Sequence, residues 1–220
     1  MDVLNWSSGY LHTSDAFEMV LTAGLCAWVQ QSDRCSDRWE AESLFHAKRA
    51  PPISLRNYVS RVVKYSSCSP ACFSVAFAYI LRLARSYKCM VPSSQNVHRI
   101  VLATVMLAVK MNEDIHYDNA YFARIGGLPL GELNRLETDL LLRLQFDVCV
   151  DIGEMIEAET VLIGKARALA APTEQDFLYC KPSARRVPRK MEEKVRPRSL
   201  DAEPSQSVLE HAEKFQVVVS

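Results

Sequence analysis

Three observations predict an all-α protein. Apolar residues recur three and four apart along most of residues 14–170, almost no segment alternates as a half-buried strand does, and 220 residues hold only 7 Gly. So few glycines argue against both glycine-rich phosphate loops and hairpin-based architectures. The expected arrangement is a single block of five helices over 53–150. One helix precedes it within 1–52, one follows it over 151–170, and a disordered tail fills 171–220.

Residues 1–13 read as irregular. From Ser14 the series Ala16, Met19, Val20, Ala23, Ala27 has helical spacing to about Gln31, with Ser14 or Asp15 able to accept an otherwise unpaired backbone N–H at its start. Residues 32–52 are charged and end in Pro51-Pro52, which predicts a linker. Ser54 then opens a helix with Leu55, Tyr58, Val59, Val62 and Val63 on one face. Ser69-Pro70 opens the next, over about 70–87, because proline at the first helical position gives up an N–H that has no partner there anyway. The helix from Gln95 to Asn112 is apolar around nearly its whole circumference and belongs at the centre of a bundle. Asp118 caps a short helix over 119–125, and Gly126-Gly127 suits its left-handed end. Pro129 starts a helix carrying Leu133, Leu136, Leu140, Leu141 and Leu144. Met155, Ile156, Val161 and Leu162 mark a last helix over 152–170.

The tail is rich in Pro, Ser, Glu, Lys and Arg and poor in aromatics, so it has little apolar surface to offset the entropy of ordering. Its stretch Lys181–Arg198 sets eight basic residues against Glu192 and Glu193. That is either a solvated linker or a patch for nuclear import or an acidic partner.

Composition narrows the function. Apolar residues are 49% and charged residues 24% of the chain, enough for a packed core, and 26 basic side chains balance 26 acidic ones. A neutral chain does not predict an electrostatic grip on nucleic acid or an anionic membrane. The longest apolar runs, Phe73–Leu81 and Ile100–Val109, fall short of the roughly 18 residues of a membrane span, and the first residues carry no basic-then-apolar secretion signal. The protein is therefore expected in the nucleus, the cytoplasm or both. The 7 Cys are irregularly spaced. Cys68 and Cys72 stand at a spacing a metal can use, but His98 and Cys149 have no partners at zinc-ligand spacing, so no metal is expected. Free buried thiols in a reducing compartment account for the cysteines.

No catalytic motif appears: there is no nucleophile elbow, zinc-protease helix or phosphate loop. The histidines are scattered, and the adjacent carboxylates Glu113-Asp114 do not face each other as an acid–base pair must. A helical domain without catalytic groups points to the binding of another protein, with no cofactor and no small-molecule substrate.

Several segments in order resemble the cyclin box: Pro52-Ile-Ser-Leu-Arg-Asn-Tyr58, Val63-Lys-Tyr65, Asn96-Val-His-Arg99, Ala108-Val-Lys-Met-Asn-Glu113, Tyr117-Asp-Asn-Ala-Tyr-Phe-Ala-Arg-Ile-Gly-Gly127 and Glu132-Leu-Asn-Arg-Leu-Glu137. Residues 53–150 are most similar to the P-type or U-type cyclins, the phosphate-pathway-like group. The resemblance implies a five-helix box that binds and activates a cyclin-dependent protein kinase, in cell-cycle or nutrient signalling, and is not itself an enzyme. It also implies a kinase-contacting lysine early in the box and a glutamate ending the third box helix, which fall by segment order on Lys64 and Glu113. Tyr117 and Tyr121 would add apolar contacts nearby. In this chain Lys110 is followed by Met111-Asn112-Glu113-Asp114, a departure that leaves the acidic contact at either Glu113 or Asp114. The alternatives are a cyclin-fold scaffold without a kinase and a transcription-factor-like module associated with nucleic acid.

Overall fold

The computed structural model describes residues 14–34, 43–114 and 116–168. Seven α-helices follow one another: α1 (Ser14–Arg34), α2 (Leu55–Ser66), α3 (Pro70–Ser86), α4 (Val97–Asn112), α5 (Asn119–Gly126), α6 (Leu130–Arg143) and α7 (Ile152–Ala168). No strand occurs among the described residues. The all-α class holds, with five helices between 55 and 143 and one on either side. The expected tail, with its basic stretch, lies outside the described residues.

α4 is the centre. Every residue from Ile100 to Val109 is buried, and α2, α3, α5 and α6 all pack on it. Its one buried hydroxyl, on Thr104, donates to the Ile100 carbonyl at 2.8 Å, so that oxygen is not stranded. A Cβ at Gly126 would overlap the Leu102 side chain, so the glycine sets how closely the end of α5 approaches α4.

α1 and α7 pack on each other, and both touch α3. Gly24 allows this crossing, since a Cβ there would meet the Leu162 backbone oxygen at 3.0 Å and its side chain closer still. α3 holds α7 through a row of polar bonds. Arg82 reaches both carboxylate oxygens of Glu154 and the carbonyls of Asp147 and Cys149, Arg85 pairs with Glu157, and Ser74 donates to Glu159. Tyr79, fully buried, donates its hydroxyl to the Val148 carbonyl at 2.6 Å.

Two local features depart from the sequence reading. Part of the predicted linker is packed: Phe45 is fully buried and the Ala47 N–H donates to the Gln95 carbonyl at 2.9 Å. Ser69 stands at the N-cap of α3, yet its side chain accepts no capping bond. By contrast Ser54 and Asp118 cap α2 and α5 as their sequence positions predict, accepting from Asn57 and Tyr121.

Candidate partner-docking site

The predicted contact residues sit where the ends of α2 and α4 meet the starts of α3 and α5. Lys64 lies in the last turn of α2, exposed, with its ammonium 5.4 Å from the Tyr65 ring. Ser67 ends α2 in the left-handed conformation (φ 50°), turning the chain sharply into α3. The Tyr121 hydroxyl, on α5, donates to the Tyr65 carbonyl at 3.0 Å, which fixes α5 against the end of α2. Tyr117 stacks on Tyr121 with ring centroids 3.9 Å apart. Tyr65, Met111 and Tyr117 each leave nearly half their surface in solvent, so large apolar side chains remain uncovered at these helix ends.

Glu113 has a different setting from that expected of an outward carboxylate. It is the C-cap of α4, and its Oε1 accepts from the Ser69 N–H at 2.8 Å and the Cys72 thiol at 3.3 Å. Within a capping box, the acid that serves the N-cap N–H comes three residues along the same helix; here that position is Cys72 and the acid comes from α4. The Ser69 backbone bond, with the Ser69 and Cys72 side chains, holds the Glu113 pKa below the ordinary carboxylate range. Asp114, next to it, is exposed. No ion pair joins Lys64 to Glu113 among the described residues.

The sequence reading missed a polar cluster behind this edge. Lys110 on α4 pairs with Glu137 on α6 at 2.6 Å, with side chains 22% and 16% exposed. Asn119, at the start of α5, donates to the other Glu137 oxygen at 2.6 Å and to Asn134 at 2.9 Å. Only one of the three ammonium donors of Lys110 is used in this pair. The cluster thus joins three helices and keeps donors in partial contact with solvent. Lys110 and Glu137 both lie within the segments that resemble the cyclin box, which was the signal available for finding them.

Among the described residues no group of His, Cys, Asp or Glu side chains is placed to hold a metal ion, and no helix is long and apolar enough to cross a membrane.

The cyclin family model matches residues 22–148, so the match takes in most of α1 as well as the five central helices. The chain is 46% identical to Cyclin-U1-1 of Arabidopsis thaliana over 106 residues, 48% of this chain and 50% of that protein. It is 39% identical to Cyclin-P4-1 of Oryza sativa subsp. japonica over 145 residues, 65% of this chain and 68% of that protein. Cyclin-U4-1 of Arabidopsis thaliana is 38% identical over 117 residues, 53% of this chain and 58% of that protein. The matched stretch therefore spans about half the length of Cyclin-U1-1 and about two thirds of that of Cyclin-P4-1. Helix order, packing around a buried α4 and these similarities lead to one conclusion: the chain belongs to the cyclin family.

Proposed function

We propose that this chain is the regulatory subunit of a cyclin-dependent protein kinase, which it binds with the edge formed by the ends of α2 and α4 and the start of α5. The observation that carries the reading is the cyclin match over residues 22–148. The uncovered Tyr65, Met111 and Tyr117 beside Lys64 and Asp114 support the choice of surface. Exposed aromatics ringed by charge are the composition expected of an interface core and its rim. Lys64 and Asp114 supply charge at the rim, Tyr117 and Tyr121 the apolar contact, and the Lys110–Glu137 pair offers hydrogen bonds from a rigid base. Glu113 shapes the surface by fixing the start of α3.

The chain contributes no catalytic group. A kinase alone holds its regulatory helix displaced and its catalytic Lys–Glu pair unmade; a partner that binds the ordered arrangement more tightly shifts the population towards it. The output is cell-cycle or nutrient signalling, in the nucleus, the cytoplasm or both.

Reconstitution with a panel of purified cyclin-dependent kinases tests this. At least one kinase should phosphorylate a generic peptide substrate at least tenfold faster with the chain than without it. Lys64→Glu combined with Tyr117→Ala, both exposed positions, should remove the gain while helicity is unchanged. Full activation by the double variant would reject the surface, and activation of no kinase would reject the function.

A further inference from the structure

Two cysteines stand four residues apart across the start of α3. Cys68 precedes the N-cap Ser69, and Cys72 occupies the third helical position. Ser69 is extended (φ −64°, ψ 152°) and Pro70 follows it, so the chain folds back and the Cys72 N–H reaches the Ser69 carbonyl at 3.1 Å. The same turn brings the two sulfurs together, and the Cys72 thiol is hydrogen-bonded to Cys68.

The two thiols have unlike settings. Cys72 is fully buried, and its sulfur faces Glu113 Oε1 at 3.3 Å, Ser69 Oγ at 3.7 Å and the Cys68 sulfur. Cys68 is half-buried and reachable from solvent; as a thiol it donates to Ser66 Oγ at 3.4 Å. The bond from Cys72 holds the Cys68 pKa below the ordinary thiol range, helped by Ser66 and opposed by burial and the Glu113 charge. That bond, together with burial, pushes the Cys72 pKa up. One sulfur is thus accessible and easier to ionise, while the other is covered and keeps its proton. An attacking thiol and a resolving thiol differ in this way. Cysteines that serve only as small apolar side chains have no need of a second sulfur in contact or of a carboxylate acceptor.

We propose that Cys68 and Cys72 are an oxidative modification site for hydrogen peroxide, in which Cys68 attacks, Cys72 closes a disulfide, and the tie between α4 and α3 is loosened. In the first step the Cys68 thiolate attacks one peroxide oxygen. The O–O bond breaks, hydroxide leaves and takes up the proton Cys68 had released, and Cys68 becomes a sulfenic acid. In the second step the Cys72 sulfur attacks the Cys68 sulfur. The S–S bond forms, the S–O bond breaks, and the departing hydroxide leaves as water with the Cys72 proton. Two thiols are oxidised by two electrons, and one peroxide is reduced to two waters. Cys72 then has no S–H for Glu113, which keeps only the Ser69 N–H of its two donors. The start of α3 lies beside the edge assigned above to a kinase, so oxidation would alter that edge; this consequence alone rests on the kinase reading.

The test uses the full chain without a kinase, so its failure is distinct from failure of that reading. The reduced chain is treated with one equivalent of hydrogen peroxide, alkylated and digested with trypsin. Cys68 and Cys72 fall on one peptide, residues 65–82, and the exposed Cys149 falls on another. The 65–82 peptide should become lighter by two hydrogens and resist alkylation at both cysteines. It should do so at least about threefold faster than Cys149 loses its thiol, and a thiol reductant should reverse it. Cys72→Ser should leave Cys68 as a sulfenic acid, trapped by a cyclic 1,3-dione, whereas Cys68→Ser should leave Cys72 reduced. In carboxyl-carbon NMR, the Glu113 titration should move up on oxidation and return on reduction. A 65–82 peptide that stays fully alkylatable while Cys149 oxidises would overturn the proposal, and that measurement needs no variant to fold. Cys72 oxidised equally well in Cys68→Ser would overturn the assigned roles, and an unmoved Glu113 titration would overturn the effect on α4 and α3.

Discussion

At the residue scale, Glu113 and His98 make opposite use of a buried or bonded titratable group, and both have consequences in pH. Glu113 ties the end of α4 to the start of α3 through the Ser69 N–H. Its pKa is depressed by that bond and by the Ser69 and Cys72 side chains, so its contribution is present above the unfolded carboxylate range and is lost as pH falls through the folded value. Glu113→Gln should lower stability by about 1 kcal/mol at pH 7, the scale of a lost helix cap. In denaturant unfolding, the gap between wild type and variant should close in acid. His98 is buried uncharged, with a folded pKa of about 4 against an ordinary value of 6.5. Its neutral form favours the fold above pH 6.5, and that advantage falls away towards pH 4, by about 3 kcal/mol over the window. The groups facing it are the Ile53 backbone, the Tyr58 ring and the Arg61 and Arg99 guanidinium groups. His98→Gln should flatten the unfolding free energy across that window; an unchanged slope would mean that the ring is not the titrating group. Neither role was legible in the sequence. The Glu113 bond joins residues 44 apart and the Lys110–Glu137 pair residues 27 apart, and no local pattern announces either.

At the scale of elements, far more could be read ahead of the structure. Ser54, Asp118 and Pro70 mark helix starts by local chemistry, and the apolar circumference of α4 states its central place. What stayed hidden was contact made by short irregular chain. The segment carrying Phe45 and Ala47 is too short and too charged to show periodicity, yet it lies against the core. The hold of α3 on α7 was hidden for the same reason as the Glu113 bond: Arg82 meets Glu154 at a separation of 72 residues. Arg82 is the hub of that contact, bonding Glu154, Asp147 and Cys149 at once. Arg82→Ala should cost about 3 kcal/mol, since it strands a partly buried carboxylate and two carbonyls. Amide exchange should then accelerate over residues 147–168 and leave α4 protected. Gly24→Ala should loosen the same assembly from the other side, costing about 1–3 kcal/mol through overlap with Leu162. A stability loss below about 0.5 kcal/mol would show that α1 and α7 part easily to admit the methyl group.

At the scale of the whole molecule, the resemblance in the central segments extends to an architecture that includes α1, where the family match begins at residue 22. The packing explains why: α1 lies on α7, α2 and α3, so it belongs to the same core as the central helices. The predicted contact residues gather at neighbouring helix ends, but they do not all point the same way. Lys64, Tyr117 and Asp114 face outward while Glu113 is turned onto α3. The central claim is that the edge formed by the ends of α2 and α4 and the start of α5 holds a kinase. Isolating the tagged chain from its native cells and identifying what elutes with it in equal amount tests that claim most directly. The account predicts a cyclin-dependent kinase that is present with the wild-type chain and lost with Lys64→Glu combined with Tyr117→Ala. No kinase in the eluate, or a kinase retained in full by that variant, would contradict it.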